Sequence, residues 1–254
     1  MTIHHGILIF VAGLLAGAIN SVAGGGSFLS FPALLFTGVP AVPANATTTF
    51  ALWVGIVASG GAYRGRMNIS ARVLVPLVLT SVVGGILGAL LLVHTPAQTF
   101  LHVIPWLMLA TTLLFTFGRH LTRILAGDMS SHASNPALAG ANLFELFVAT
   151  YGGYFGGGIG IMNLAMFSAL GMTDIHDMNA LKVLLSVTTN GVATVTFVVI
   201  KAIFWPQALM MTGGAILGGY FGAHYAQKLP PLWIRSFIIL IGVGMTTYFF
   251  VRYH

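Results

Sequence analysis

The chain contains two related halves that carry the same glycine-rich segments in the same order. Residues 24–26 are three consecutive glycines, and so are residues 156–158. Asn45-Ala46 returns as Asn179-Ala180, and Gly84-Gly85 returns as Gly218-Gly219, in both cases 134 residues further on. We therefore expect two homologous four-element repeats. They are residues 1–118 and 140–254, joined by a linker at 119–139.

The composition places these repeats in a membrane. Hydrophobic residues make up 57% of the 254 residues and charged residues only 6%, whereas soluble domains carry about 25% charged residues. The apolar runs are ~20 residues long and show no strict alternation, which is the length of a helix that crosses ~30 Å of hydrocarbon. We therefore predict an all-α integral membrane protein.

About eight transmembrane elements are predicted. Their approximate ranges are 6–37, 42–63, 71–93, 96–117, 136–170, 175–200, 205–227 and 231–251. The first and fifth are too long for one crossing, and each is interrupted by a glycine triplet. Three successive glycines lack every Cβ, so the backbone can turn sharply there. Irregular backbone at membrane depth is tolerated only where protein covers it or where it lines a wet cavity.

The orientation of the repeats stays open at the level of sequence. If all eight elements cross the membrane, the two repeats have the same orientation. If the first and fifth elements re-enter, the repeats are inverted. The basic residues of the loops divide seven to two between the faces in either arrangement, so the positive-inside rule does not choose. Both arrangements place the Arg64–Arg72 loop and the linker in the cytoplasm.

The net charge of +6 has two interpretations in a membrane protein, and neither involves nucleic acid. Basic loops anchor the cytoplasmic face, or the protein handles an anionic solute. The absence of cysteine excludes disulfides and thiolate metal sites. No His, Asp or Glu cluster has the spacing of a metal site, and no cofactor is indicated.

The two glycine triplets are candidate anion sites. A break leaves free N–H groups at the start of the following half-helix, and the helix dipole attracts negative charge to the same place. Close helix packing is the alternative. It is typical of spaced pairs such as Gly84/Gly88 and Gly218/Gly222, but it does not need three consecutive glycines.

Polar residues inside the second and sixth elements extend this picture. Asn45 and Thr48 are three residues apart, as are Asn179 and Lys182, so each pair shares one helix face. Lys182 lies well inside an apolar run, where an unpaired charge is costly. It either holds an anionic substrate or extends its stem to the headgroups. Asn190 either continues the polar lining or makes a helix–helix hydrogen bond.

Glu145 lies inside the fifth element. It is a candidate carrier of a coupling proton, a partner for Lys or Arg, or a residue near the headgroups. Asp174 and Asp177 precede or begin the sixth helix, where acidic side chains complement the helix N-terminus. No nucleophile with a base and no pair of carboxylates stands out, so the chain is not predicted to be an enzyme.

Several of these segments together carry a family resemblance over nearly the whole chain. They are Gly17, Asn20, the break at 24–26, Phe31-Pro32-Ala33-Leu34, Gly38, Pro43-Ala44-Asn45-Ala46-Thr47, the second break with Gly153, and Gly218-Gly219 with Gly222-Ala223. In these segments the chain resembles the sulfite exporter family of the TauE/SafE type. The resemblance implies a multi-pass permease of the bacterial inner membrane for small sulfur-containing or organic anions, such as sulfite or sulfoacetate. It also implies that ion gradients rather than ATP supply the energy.

We therefore predict a secondary active transporter that works by alternating access, with the two breaks facing one another near the midplane. The predicted substrate-binding residues are Asn20, Gly24, Gly25, Gly26, Ser27, Asn45, Thr48, Gly156, Gly157, Gly158, Asn163, Asn179, Lys182 and Asn190. The expected partners are the lipid bilayer, the anion and a coupling ion, which is H⁺ if Glu145 carries it. A homodimer stays open, and an anion channel, an intramembrane enzyme and a membrane scaffold are the alternatives.

Overall fold

A computed structural model describes residues 2–22, 24–60, 69–125, 135–225 and 231–253. All of the secondary structure in these ranges is helical, which confirms the all-α prediction. The ten helices are α1 (Ile3–Val22), α2 (Ser27–Phe36), α3 (Ala41–Gly60), α4 (Ala71–His94), α5 (Ala97–Leu125), α6 (Asn135–Tyr154), α7 (Ile159–Ala169), α8 (Ile175–Val199), α9 (Trp205–Tyr225) and α10 (Pro231–Tyr253).

The helix α5 is longer than the fourth predicted element and continues to Leu125, into the predicted linker. Residues 119–125 contain no proline or glycine, so nothing in this sequence ends the helix. Because α6 begins at Asn135, only residues 126–134 separate the two helices. Those residues lie outside the described part of the chain, as do Arg64 and Arg66 of the predicted cytoplasmic loop.

Length and apolar composition identify six candidate membrane spans among the described residues, where the sequence predicts eight elements. They are Ile3–Ser21, Ala41–Ala58, Ala71–His94, Ala97–Gly118, His176–Val199 and Ser236–Tyr253. The helices α6 and α9 have 20 and 21 residues, but glycines and polar side chains make them less apolar. The helices α2 and α7 have only 10 and 11 residues, about 15 Å of rise each.

The helix α1 packs closely along α9 through small residues. Leu14 lies against Gly218, and Ala18 lies against Gly222. A Cβ on Gly218 would overlap the carbonyl of Leu14, so only glycine permits this approach of the two backbones. Because the contacting residue numbers rise together, α1 and α9 run parallel.

The helix α4 packs along α6 in the same manner. Gly84 lies against Leu146, and Gly88 lies against Thr150, whose carbonyl a Cβ on Gly88 would overlap. The residue numbers again rise together, so α4 and α6 also run parallel. The spaced glycine pairs of the sequence therefore serve close packing.

The helices α3 and α8 also touch, but they run in opposite directions. Trp53 Nε1 on α3 donates a hydrogen bond to the Val187 carbonyl on α8 at 3.0 Å. Nearer the start of α3, Thr47 Oγ1 accepts a hydrogen bond from the N–H of Phe204, just after the end of α8. Residue numbers therefore rise along α3 as they fall along α8, so the two helices are antiparallel.

The helices α5 and α10 form the other antiparallel pair. The Trp106 ring packs on Phe250, and further along α5 the Thr112 hydroxyl lies 3.5 Å from the Thr246 hydroxyl. Thr112 and Thr246 are 134 residues apart, and the bond between α3 and α8 joins residues with the same separation. The spacing of the repeated motifs in the sequence therefore recurs as contacts between helices.

Candidate functional site

The second glycine triplet forms a reversal of the chain between α6 and α7. Gly156 and Gly158 have φ angles of 83° and 79°, in the left-handed region that glycine adopts readily. Ile159 at the start of α7 packs near Gly152, and Met166 further along α7 shares an apolar cluster with Ala141 near the start of α6. The short helix α7 therefore runs back along α6.

Asn45 connects the first half of the chain to this reversal. Its Nδ2 donates a hydrogen bond to the carbonyl of Tyr154, the last residue of α6, at 2.8 Å. This bond satisfies one of the carbonyls that a helix C-terminus leaves without an internal partner. The Oδ1 atom of Asn45 is buried and has no hydrogen-bond partner. Asn45 therefore positions the end of α6 with one of its two amide N–H groups, and its predicted role as a hydrogen-bond donor to the substrate stays a prediction.

Asn190 and Thr111 lie on either side of the same reversal. Asn190 Oδ1 lies 3.6 Å from the place a Cβ on Gly156 would occupy, while its Nδ2 donates to the carbonyl of Ser186 at 2.8 Å. Thr111 Oγ1 lies 2.6 Å from the hydroxyl of Tyr151. Neither hydroxyl is among the residues predicted from the sequence, although Thr111 belongs to a Thr-Thr doublet inside an otherwise apolar run.

Lys182 lies across the first turn of α7. Its Cδ is 3.2 Å from the place a Cβ on Gly160 would occupy, so the lysine stem packs closely on this glycine. Its Nζ donates a hydrogen bond to Asn179 Oδ1 at 2.9 Å, the predicted partner on the same helix face. The ammonium group and the N-terminal dipole of α7 therefore contribute positive potential on the same side of the reversal.

The first glycine triplet has apolar and backbone surroundings instead. Gly24 has a φ of 68°, and a Cβ on Gly25 would come within 2.9 Å of the Phe115 ring. Gly26 lies against the backbone of Ala16, and Asn20 Oδ1 is 3.8 Å from the Cβ position of Gly24. Ser27 begins α2, and Ala23 lies outside the described residues. The charged lining found at the second break has no equivalent among the described neighbours of the first.

The two breaks pack on successive turns of α5. Gly25 lies against Phe115, and Gly158 lies against Thr111, whose Cγ2 is 3.1 Å from the Cβ position of the glycine. Residues four apart on a helix are separated by about 6 Å along its axis. Thr48 and Asn163 are both 1% exposed, and each has a buried side-chain oxygen without a hydrogen-bond partner.

Glu145 lies away from the second break, on the face of α6 that packs against α4. It is 1% exposed, and its Oε1 accepts a hydrogen bond from Ser81 Oγ at 2.6 Å. The residue precedes Tyr154 by nine positions, about 14 Å of helix.

Within the described ranges, no three His, Asp or Glu side chains come together to hold a metal ion.

The fold and this polar interior together define a multi-pass α-helical membrane protein with a basic side chain beside the start of the short helix α7. The sequence matches the model of the family described as Sulfite exporter TauE/SafE over residues 9–249, and the chain belongs to that family.

Relatives of this chain are named as membrane transporters. One is the "Probable membrane transporter protein ORF9" of Sinorhizobium sp, which is 28% identical over 96% of this chain and 92% of the relative. A "Probable membrane transporter protein" of Haemophilus influenzae is 28% identical over 94% of this chain and 92% of its own length. YfcA of Escherichia coli, named in the same way, is 28% identical over 95% and 87%. No solved structure matches the chain.

Proposed function

We propose that this protein is a secondary transporter that carries a small sulfur-containing or organic anion across the bacterial inner membrane by alternating access. The family name and the names of the relatives support a carrier rather than an enzyme. The single observation that carries the choice of an anion is the position of Lys182 beside Gly160 in the first turn of α7.

The chemistry of this position favours a small oxyanion. The first turn of an α-helix has N–H groups without internal acceptors, and these groups attract anions together with the helix dipole. Lys182 adds positive charge when its amine is protonated, and Asn179 orients that group through its hydrogen bond. One ammonium group with several N–H donors stabilises the anion without a deep basic pocket, from which release would be slow.

The proposed site extends over the second break and the residues that surround it. Gly156, Gly157 and Gly158 provide the turn, Asn190 and Asn163 provide polar lining, and Asn45 fixes the end of α6. We assign the residues of the first break, Asn20, Gly24–Gly26 and Ser27, to the adjoining wall of the site, because both breaks pack on neighbouring turns of α5. Thr48 remains in the proposal as the counterpart of Lys182 in the first half.

Two inverted repeats provide the moving parts in this proposal. The starts of α1 and α6, and of α2 and α7, are 132 residues apart, whereas those of α3 and α8, α4 and α9, and α5 and α10 are 134 apart. A residue that contacts its own counterpart lies near the axis that relates the halves. Thr112 and Thr246 make such a contact between antiparallel helices, which favours an axis in the membrane plane. Inverted repeats of this kind suit alternating access around a central site.

The proposal is tested by ligand-dependent thermal stability of the purified protein, followed by flux in liposomes. A panel of sulfite, sulfate, thiosulfate, sulfoacetate, taurine, acetate and lactate separates sulfur oxyanions from carboxylates. An anion that binds the folded state raises Tm with concentration. Lys182→Gln is expected to abolish this shift and the flux. Lys201→Gln is the matched control, because Lys201 is an exposed lysine beyond the end of α8.

The outcome of this pair of variants decides the assignment. Loss of the shift in Lys182→Gln with a normal shift in Lys201→Gln supports the anion site at α7. An unchanged shift in Lys182→Gln would remove the lysine from the site. If no anion of the panel raises the Tm of the wild-type protein and none is transported, the proposed function is contradicted.

A further inference from the structure

A polar seam between α4 and α6 lies outside the proposed anion site. Its members are three side-chain pairs, each with one residue from either helix. We call them the α4/α6 seam: Arg72 with Asn135, Thr80 with Asn142, and Ser81 with Glu145. The proposed function uses none of these pairs.

The seam leads from the ends of the helices to the interior. Arg72 Nη2 donates to Asn135 Oδ1, and both residues are exposed at the N-terminal ends of their helices. Two turns further in, the Thr80 hydroxyl lies 3.1 Å from Asn142 Oδ1. Glu145 follows on the next turn of α6 and is 1% exposed. The polar pairs therefore occur at the exposed end of the α4–α6 contact and again from Thr80 to the buried carboxyl group, with the apolar side chains of Leu77 and Ala141 buried between them.

The two carboxyl oxygens of Glu145 have different surroundings. Oε1 accepts the hydrogen bond from Ser81 Oγ at 2.6 Å, whereas Oε2 is buried and has no hydrogen-bond partner. A buried carboxylate with one unpaired oxygen is far more costly than the neutral acid, because an uncompensated charge loses more solvation than a hydroxyl group does. A proton on Oε2 would remove that charge.

The charged and titratable groups on the helices that pack against α6 leave this oxygen unpaired. On α4 these groups are Arg72 and His94, near opposite ends of the helix. The helix α7 has none. On α8 they are His176, Asp177 and Lys182; Lys182 donates to Asn179, and none of them bonds to Glu145 Oε2. On α6 itself the other titratable groups are Tyr151 and Tyr154, towards the second break.

We propose that Glu145 is a proton-binding site of this protein, loaded and unloaded past Thr80 and Asn142, the neighbouring pair of the α4/α6 seam. In the loading step, Oε2 takes a proton from a hydronium ion that has reached the seam and leaves a water molecule. Release is the reverse step. Ser81 holds the carboxyl group in place in both states by its hydrogen bond to Oε1.

Proton binding at Glu145 deepens the proposed function, and the part that the proton plays in transport rests on that function. Glu145 and the second break belong to one helix, and Tyr154 at the end of that helix is held by Asn45. A change of charge on Glu145 alters the packing of α6 on α4, and α6 transmits the change to the break. The proton would then be the ion whose gradient drives the anion.

Infrared spectroscopy tests proton binding without any assumption about transport. The chain has only four Asp and Glu residues, so the region of the protonated carboxyl C=O stretch is simple. Wild type in lipid is expected to show a band there that responds to pH and shifts in D₂O. The band should be absent in Glu145→Gln and displaced in Ser81→Ala, which removes the hydrogen bond to Oε1.

Control variants separate proton binding from misfolding. Asp177→Asn removes a carboxyl group at the start of α8 and should leave the band unchanged. Asn142→Leu keeps Glu145 but interrupts the seam, so it should keep the band and slow its exchange in D₂O. If Glu145→Gln does not fold, the displacement in Ser81→Ala decides the assignment. A band that is unaffected by all of these variants, or no band at any pH, would overturn the proposal.

Flux measurements then test whether the proton drives the anion. For electroneutral movement of one proton with one monovalent anion, a pH difference of one unit supports about a tenfold accumulation. Glu145→Gln is expected to lose this accumulation and to retain exchange of labelled for unlabelled anion, which moves no net proton. Accumulation at the wild-type level in Glu145→Gln would contradict the coupling role. Absence of both accumulation and exchange in wild type would instead contradict the proposed function and leave the infrared result standing.

Discussion

Two interfaces of this molecule share one geometry and differ in chemistry. The helices α1 and α9 run parallel in close contact, and so do α4 and α6. In the first interface, Gly214 lies against the backbone of Phe10. At the corresponding place in the second, the Thr80 hydroxyl lies 3.1 Å from Asn142. An apolar contact in one interface is therefore replaced by a polar one in the other.

The difference is largest one turn further along. Glu145 and Ser81 of the second interface correspond to Gly13 and Ala215 of the first, by the helix spacings of 132 and 134 residues. Close packing thus needs small residues, which both interfaces have, and it does not need a carboxyl group. The seam is an addition to one of the two corresponding interfaces between the halves, and such an addition at a cost in stability points to function rather than folding.

The largest expected effect comes from the feature that both interfaces share. Gly88→Leu in α4 and Gly218→Leu in α9 each drive a side chain into the backbone of the facing helix. Because backbone cannot give way as a side chain does, we expect a loss above the ~1–3 kcal/mol of ordinary overpacking, with little folded protein in detergent. Gly244→Leu is the control, since a Cβ on Gly244 meets nothing within 4 Å. Size-exclusion profiles and thermal unfolding measure the result, and tolerance of either leucine would show that the two interfaces differ in packing too.

The next effect concerns the hydrogen bond that only the second interface has. Ser81→Ala leaves Glu145 without its donor, and we expect a loss of about 1–3 kcal/mol, the cost of an unsatisfied buried polar group. The reciprocal change Ala215→Ser adds a hydroxyl group that can bond to its own helix, so its effect should be smaller. Reversible unfolding in mixed detergent measures both. Equal losses in the two variants would remove the distinction between the interfaces.

A smaller effect is expected at the pair of asparagines that the sequence repeat brings into correspondence. Asn45 donates to the carbonyl of Tyr154, whereas Asn179 accepts from Lys182. Asn45→Ala should therefore lower stability by about 1 kcal/mol, the net worth of one hydrogen bond. Asn179→Ala should chiefly weaken anion binding. Unfolding and thermal-shift titration of both variants separate these roles. Weaker anion binding in Asn45→Ala and lower stability in Asn179→Ala would mean that the two asparagines have the opposite roles.

Much of the fold is legible in the sequence, because apolar runs and glycine triplets act locally. The runs predict the helices, and Lys182 is conspicuous as a charge inside one of them. The relative orientation of the two halves cannot be predicted in this way, because the basic residues divide equally well between the two membrane faces in both arrangements. The inverted arrangement that we propose rests on contacts such as that of Thr112 with Thr246, which the sequence does not reveal.

The seam could not be predicted for a related reason. Glu145 is visible as an acidic residue in an apolar run, but its partner Ser81 is 64 positions away. A serine or threonine in a transmembrane helix usually bonds to its own backbone, as Thr80 does with the carbonyl of Pro76 at 2.8 Å. Nothing local distinguishes such a residue from one that faces a carboxyl group. Helix pairing has to be known first.

The smallest expected effect tests the contact on the proposed axis between the halves. Thr112→Val keeps the shape of the side chain and removes a hydroxyl that lies 3.5 Å from the Thr246 hydroxyl and already donates to the Met108 carbonyl at 2.7 Å. Since the contact between the halves is long, its loss should cost less than about 0.5 kcal/mol, below a typical hydrogen bond. Thermal unfolding of Thr112→Val beside Thr116→Val, whose hydroxyl donates to the Thr112 carbonyl in the same helix, measures the difference. A clearly larger loss of stability for Thr112→Val would mean that the hydrogen bond between the Thr112 and Thr246 hydroxyls contributes substantially to the contact between the halves.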